Sequence, residues 1–506
     1  MGYEGLSKLF YKSPEQYQAA YQRRFAGDAT VHFAFDVHQK PAFLVITPEL
    51  LSLIDQIHVL DKQLTWISRR LPKIAKQQYS TWAVIEEIRL TNEIEGVHST
   101  RREIQLLVED HLPVKNEQRL VGFVKKYRQL MNRQSIPLRT CEDLRRLYDE
   151  LCLPDVIADA ADHAPDGLLF RKDSVCIYSE SQKEIHKGLY PESAILSAMT
   201  KALDMLHDSQ LPVLLRIALF HYCFAYIHPF YDGNGRMDRF ISSYYLAWNF
   251  NPLLGYHLSY TIKKELSTYY KLFKQTNDPR NCGDLTLFAE GFLRIIRTSS
   301  ESLNASLLKR LEKMTFFRNQ LLKRFPNDRH FRVLHILMLN TLFGYRGLTL
   351  PELARLCDVF YIGGTKVGAL FGEAVVIMNE SLKKDFRFIM KQRGGRLAKG
   401  RLLGVQFDAL FTDDLYFRIS RHAIEMAHQI RDIFVSAGYP LLFDSPTNQQ
   451  YPIMPDDELA EIGKSFGYEY WERVDETHSG VRFCASWATT QENVDALRAA
   501  VQALKK

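Results

Sequence analysis

The chain has 506 residues, 46% of them hydrophobic and 25% charged, which suits two or three compact units and excludes a disordered chain. Its 65 basic residues stand against 59 acidic ones, a net charge of +6, and they are scattered, so composition gives no basis for a nucleic-acid partner. Seven dispersed cysteines without a Cys-x-x-Cys pair argue against a disulfide framework or a zinc site and for reduced thiols in a cytoplasmic protein.

The first residues, Met1 to Gly5, carry no basic-then-apolar signal pattern. From Thr47 to about Leu107 apolar residues recur at helical spacing, Leu50, Leu51, Leu53, Ile54 and Ile57 and then Trp82, Val84, Ile85, Ile88 and Leu90, which predicts two long helices. Gly96 ends the second, and Thr100 with Glu103 has the capping-box spacing of a new helix start. A turn-rich stretch, Asp162 to Gly167, leads into an alternating segment around Phe170 to Ile177 that reads as a short hairpin. Helical patterns resume at Glu192 and run, with a break at His228 to Gly235, to about Leu307. Within them Leu211 to Ile227 is the longest apolar run; broken by Arg216 and His221, it reads as a core helix and not a membrane span. Phe331 to Leu342 and Leu350 to Cys357 predict two more short helices. After Val359 the texture becomes α+β, with β-like runs at Ala374 to Ile377 and Val481 to Trp487 and amphipathic helices at Tyr416 to Ala437 and Glu492 to Leu504.

The break at His228 holds the densest chemistry: His228-Pro229-Phe230-Tyr231-Asp232-Gly233-Asn234-Gly235-Arg236-Met237-Asp238-Arg239. Gly233 and Gly235 let the backbone approach a ligand, and the N–H groups opening the next helix suit an anion such as a diphosphate. Arg236 and Arg239 share a helix face and can grip further phosphate oxygens. Asp232 offers a hard carboxylate for Mg²⁺, and His228 can take a proton near neutral pH. A base, a metal carboxylate, an anion cradle and two arginines compose a phosphoryl-type site.

The segment resembles the Fic family signature, His-x-Phe-x-[Asp/Glu]-Gly-Asn-Gly-Arg-x-x-Arg, and matches it at every fixed position. The resemblance implies that His228 is the general base acting on a Ser, Thr or Tyr hydroxyl of a target protein. It implies that Asp232 holds Mg²⁺ between the α- and β-phosphates of ATP, that Gly233, Asn234 and Gly235 form the anion hole, and that Arg236 and Arg239 contact the β- and γ-phosphates. Phe230 would anchor the loop. More loosely, Arg171 to Tyr178 resembles the flap that aligns the target chain, and Tyr269-Tyr270 and Asp284-Leu285-Thr286 resemble helices closing the nucleotide pocket; either tyrosine fits core packing equally well. The implied activity is protein adenylyltransferase, with members that transfer other phosphate-linked groups or remove AMP not excluded by the motif.

Thr91-Asn92-Glu93-Ile94-Glu95-Gly96 puts Thr91 and Glu95 on one helix face just before a glycine stop. It resembles the inhibitory motif of Fic proteins, here N-terminal to the active-site motif. By that resemblance Glu95 pairs with Arg239 and blocks productive ATP binding.

In the tail, Phe360-Tyr361-Ile362-Gly363-Gly364-Thr365-Lys366 places a lysine after a glycine turn. Spacing alone makes it solvent-exposed. This stretch, with Lys399 to Gly404, Ser445 to Gln450 and Val481 to Trp487, resembles the C-terminal part of low-specificity threonine aldolases, which use pyridoxal phosphate (PLP). Lys366 would then be the Schiff-base lysine and Arg482 a clamp for a substrate carboxylate. The phosphate loop, ring-stacking aromatic and acidic partner that a pyridoxal site needs come, in that family, from a large domain whose place is taken here by the Fic-like region. The tail therefore reads as a fused fragment that exposes apolar surface.

The expected organisation is an N-terminal helical region with the inhibitory helix at 1–110, a mainly α-helical Fic domain at 111–310, a helical connector at 311–357, and a smaller α+β segment at 358–506 resembling the small domain of fold-type I pyridoxal enzymes. The connector opens like a winged helix but leaves that pattern at Asp358, so no DNA-binding role is expected. The expected partners are ATP and the target protein, with no membrane or nucleic acid; homo-oligomerisation stays open. Two rivals to adenylyl transfer are a PLP-dependent aldolase in the tail and a nucleotide-gripping regulatory module without turnover.

Overall fold

The computed structural model describes residues 3–97, 99–108, 120–178, 184–326, 328–344 and 350–504. The chain divides into two units, Met1–Gly347 and Leu348–Lys506.

The larger unit opens with α1 (Leu6–Lys12), α2 (Pro14–Phe25) and an antiparallel hairpin of β1 (Thr30–Val37) and β2 (Lys40–Val45). The expected elements began only at Thr47, so this hairpin was not foreseen. Its turn is His38-Gln39, both at positive φ (48° and 62°), and it lacks the Asn-Gly pair that marks such turns in sequence. Then come the two expected long helices, α3 (Pro48–Arg70) and α4 (Lys73–Ile94). Thr47 caps α3 by accepting from Leu50 N at 3.1 Å, and Leu50, Leu53, Ile57, Leu64 and Ile67 form its buried stripe. α4 is buried nearly all round from Thr81 onward, polar residues included. The capping box at Thr100 and Glu103 opens α5 (Arg101–Val108): Thr100 N donates to Glu103 Oε2 at 2.7 Å, and Glu103 N donates to Thr100 Oγ1 at 3.2 Å.

After α6 (Val121–Met131), α7 (Cys141–Leu151) and α8 (Leu153–Asp159) comes the second hairpin, β3 (Cys176–Tyr178) paired with β4 (Glu184–Lys187). Its strands begin later than the alternation from Phe170 suggests. The helices α9 (Glu192–His207), α10 (Val213–Ile227), α11 (Asn234–Asn249), α12 (Pro252–Gly255), α13 (Leu258–Lys264), α14 (Leu266–Thr276), α15 (Thr286–Arg324) and α16 (Asp328–Phe343) complete the unit. α10 is buried nearly all round and forms the centre of the core, with α9, α11 and α15 around it. No helix among the described residues is long and apolar enough to cross a membrane.

The smaller unit is α+β. It contains α17 (Leu350–Leu356), a hairpin of β5 (Val359–Gly363) and β6 (Glu373–Ile377), and α18 (Phe386–Gln392), α19 (Arg401–Phe411) and α20 (Leu415–Ser436). They are followed by β7 (Gln449–Gln450), β8 (Ile453–Pro455), α21 (Asp456–Ile462), β9 (Glu469–Arg473), β10 (His478–Cys484) and α22 (Gln491–Ala503). β10 is the hub, antiparallel to β7, β8 and β9. Its Val481 and Phe483 pack with Ile430 and Phe434 of α20 and Leu497 and Val501 of α22. Outside that core Tyr361, Leu370 and Phe388 are largely exposed.

Candidate active site

α10 stops at Ile227 because His228 turns left-handed, with φ 52° and ψ 64°. The loop that follows is fixed from inside: Phe230 is fully buried and stacks on Tyr148 with ring centroids 3.6 Å apart. Asn234 locks the same loop, its Oδ1 accepting from Phe230 N at 3.0 Å and its Nδ2 donating to Phe230 O at 2.8 Å. The Asn234 side chain is thus spent on the loop, and only its backbone N–H remains for an anion. Gly233, at φ 80°, caps α11, whose first-turn N–H groups have no carbonyl four residues back.

The residues singled out in sequence come together here. Arg239 is buried; its Nε donates to Thr91 Oγ1 at 2.8 Å, its Nη2 donates to Thr91 O at 2.9 Å, and Nη2 lies 2.7 Å from Glu95 Oε1. Burial pulls the Arg239 guanidinium down, but the Glu95 carboxylate outweighs it and the net shift is up. The same carboxylate lies against Gly235: a Cβ there would collide with Glu95 and stand 3.0 Å from Arg239 Nη1. Glu95 therefore brings a negative charge to the mouth of the α11 cradle. Only part of its side chain, 32%, is exposed.

Arg236 is equally buried and has a partner that carried no mark in the sequence. Its Nη1 lies 3.2 Å from Oδ2 of the buried Asp155 in α8, while its Nε is buried without a hydrogen-bond partner. A buried, half-satisfied guanidinium beside a helix N-terminus fits a phosphate oxygen. Asp232 is half-buried at the loop's edge, with Oδ1 accepting from Gly233 N at 2.5 Å. Among the described residues no group of three acidic, His or Cys side chains could hold a metal. A cation here would rest on Asp232 and on ligand oxygens, a donor set that suits Mg²⁺.

Burial, with the nearby His186 and Arg171 charges, pushes the His228 imidazole down to about 4, so it is neutral and can accept a proton at physiological pH. Of the two tyrosines, Tyr269 is buried with its hydroxyl 2.8 Å from His221 Nε2, whereas Tyr270 is half-exposed. Asp284 is buried against the N-terminus: its Oδ2 accepts from Tyr3 Oη at 2.6 Å, and its Oδ1 accepts from Thr286 N at 3.0 Å.

Residues 140–246 match the model of the Fic/DOC family. These residues are a Fic domain. A Fic family protein from Desulfovibrio desulfuricans G20 is similar to this chain at 23% identity, covering 52% of this chain and 75% of that one, with a TM-score of 0.41. The other likeness is to threonine aldolase. The low-specificity L-threonine aldolase of Pseudomonas aeruginosa is 30% identical over 138 residues, 27% of this chain and 39% of that protein. A threonine aldolase from Leishmania major is 37% identical over 32% of this chain and 47% of that one, with a TM-score of 0.31. The chain spans about two fifths of the length of the curated relatives it matches. The Fic domain is thus joined to an aldolase-like part, as a fused fragment would be.

In the smaller unit Lys366 follows β5 in a short 3-10 turn and is exposed. Arg482 on β10 already bears a carboxylate, with its Nη2 on Glu469, and its Nη1 donates to Gln449 Oε1 at 3.3 Å. An imine-forming lysine is activated by desolvation, and a carboxylate clamp needs a free fork. This pair does not fit pyridoxal phosphate.

Proposed function

We propose that this chain is a protein adenylyltransferase that transfers AMP from ATP to a Ser, Thr or Tyr hydroxyl of a target protein and is held off by Glu95. The observation that carries this reading is the Glu95 carboxylate on Arg239 and against Gly235, where a nucleotide's terminal phosphate would be gripped. With Glu95 displaced, Arg239 and Arg236 would hold the outer phosphates and the α11 N–H groups the oxygens nearer the α-phosphorus. Asp232 would hold a magnesium ion, which when bound neutralises phosphate charge. The neutral His228 then takes the hydroxyl proton as that oxygen bonds to the α-phosphorus. The bond from the α-phosphorus to the α,β-bridging oxygen breaks, and its electron pair leaves with pyrophosphate. The β3–β4 hairpin stands beside His228 and is the element that would align the target chain.

The test uses the full chain with Mg²⁺ and α-labelled ATP. Glu95→Gly should label itself or an added lysate, and Glu95→Gly with His228→Ala should not. Equal labelling by the two variants would remove His228 from the chemistry.

A further inference from the structure

Arg171 is wholly buried, yet among the described residues no carboxylate pairs with it. Burying a cation is costly unless its donors are satisfied, and here backbone carbonyls satisfy them. Nε donates to His228 O at 2.9 Å, Nη1 to Asp173 O at 2.5 Å, and Nη2 to Leu189 O at 2.8 Å and to Ile227 O at 3.5 Å. Ile227 and His228 carry terminal carbonyls of α10, which the helix itself leaves unsatisfied and whose dipole favours a cation. Asp173 and Leu189 are the two feet of the β3–β4 hairpin. The backbone seals the same junction: Arg171 N donates to Pro229 O at 3.2 Å, Leu189 N to Ile227 O at 3.1 Å, and Gly188 N to Val175 O at 3.0 Å. A Cβ on Gly188 would collide with Arg171 Nη2 and stand 3.0 Å from His228 Cβ.

We propose that Arg171 is a positioning residue: its guanidinium holds His228 in the left-handed turn and fixes both feet of the β3–β4 hairpin to it, so that base and hairpin form one block. The proposal rests on His228 being the base. A lysine cannot replace the fork, because one ammonium cannot span carbonyls from three chain segments in one plane. The charged and titratable groups that face His228 are His186, Arg171 and Glu95.

The experiment compares Arg171→Lys, Arg171→Met and Gly188→Ala in the full-length Glu95→Gly chain. For Arg171→Lys and Gly188→Ala, kcat should fall on the order of 10²-fold while KM for ATP stays within about twofold, since the phosphates are gripped elsewhere. A ¹⁵N-histidine NMR titration should show His228 protonating at higher pH in Arg171→Met, where the neighbouring charge is gone, and near its parent value in Arg171→Lys. Should Arg171→Met not fold, the other two variants decide. An Arg171→Lys chain with parental kcat, or one whose KM rises in step with the loss of kcat, overturns the proposal. So does a His228 titration unmoved in folded Arg171→Met. If the Glu95→Gly parent transfers no AMP at all, adenylyl transfer is what fails, and the His228 titration together with a crystal structure of Arg171→Lys still decides the positioning claim.

Discussion

The base role proposed for His228 requires a neutral imidazole, and its surroundings favour that state. With its value near 4, the rate of the Glu95→Gly chain should stay level from pH 8 to about 5 and fall only below that, because acid must protonate a group the fold keeps neutral. An acid limb near 6.5 in initial-rate measurements would contradict the environment assigned to His228. The stability linkage has the matching sign: the unfolded imidazole binds its proton first, so the native state loses stability as pH falls from about 6.5 toward 4. Asp155 makes a second prediction. Asp155→Ala leaves the Arg236 cation buried without its carboxylate and should cost about 3–5 kcal/mol, read from the urea midpoint. The motif residues were legible because their chemistry is contiguous, one helix end and one helix start within twelve positions. Asp155, Tyr148 and the grip of Arg171 on His228 were not. They reach the motif from 57 to 84 residues away, and an isolated acid, arginine or tyrosine leaves no local mark.

At the scale of elements, the long helices were readable from apolar spacing, and the α5 start from its capping box. The β1–β2 hairpin escaped because its turn carries His38-Gln39 where Asn-Gly would announce it. The loop between α10 and α11 makes its own prediction. Asn234→Ala removes both hydrogen bonds to Phe230 and should cost roughly 1–3 kcal/mol, the price of two buried backbone groups left unpaired, measurable by chemical denaturation. The tip of α4 is the other element under load. Thr91 accepts from Arg239 through both its hydroxyl and its carbonyl, so Thr91→Val keeps the shape but removes one of the bonds holding Arg239 to that helix. It should relieve inhibition only partly, with labelling between wild type and Glu95→Gly. Labelling at the Glu95→Gly level would mean that Thr91, and not the carboxylate, carries the latch.

Across the whole molecule, a Fic domain and an aldolase-like part share one chain. Lys366 is exposed and Arg482 is engaged by Glu469, so Lys366→Ala should leave AMP transfer unchanged and alter no visible absorption. A pyridoxal imine band lost on that substitution would reverse the reading of the smaller unit. The proposed function turns on one competition, between a tethered carboxylate and a phosphate for Arg239. On that proposal the tethered Glu95 carboxylate, at an effective concentration on the order of millimolar, competes with the phosphate for Arg239 and lowers productive ATP binding. Intact-mass spectrometry of wild type and Glu95→Gly after incubation with Mg²⁺ and ATP, with and without an added lysate and with its proteins measured alongside, tests this most directly. AMP adducts on the chain or on lysate proteins should be at least ~10-fold more abundant with Glu95→Gly than with wild type. Equal adduct levels in two preparations that bind ATP would contradict the inhibitory role proposed for Glu95.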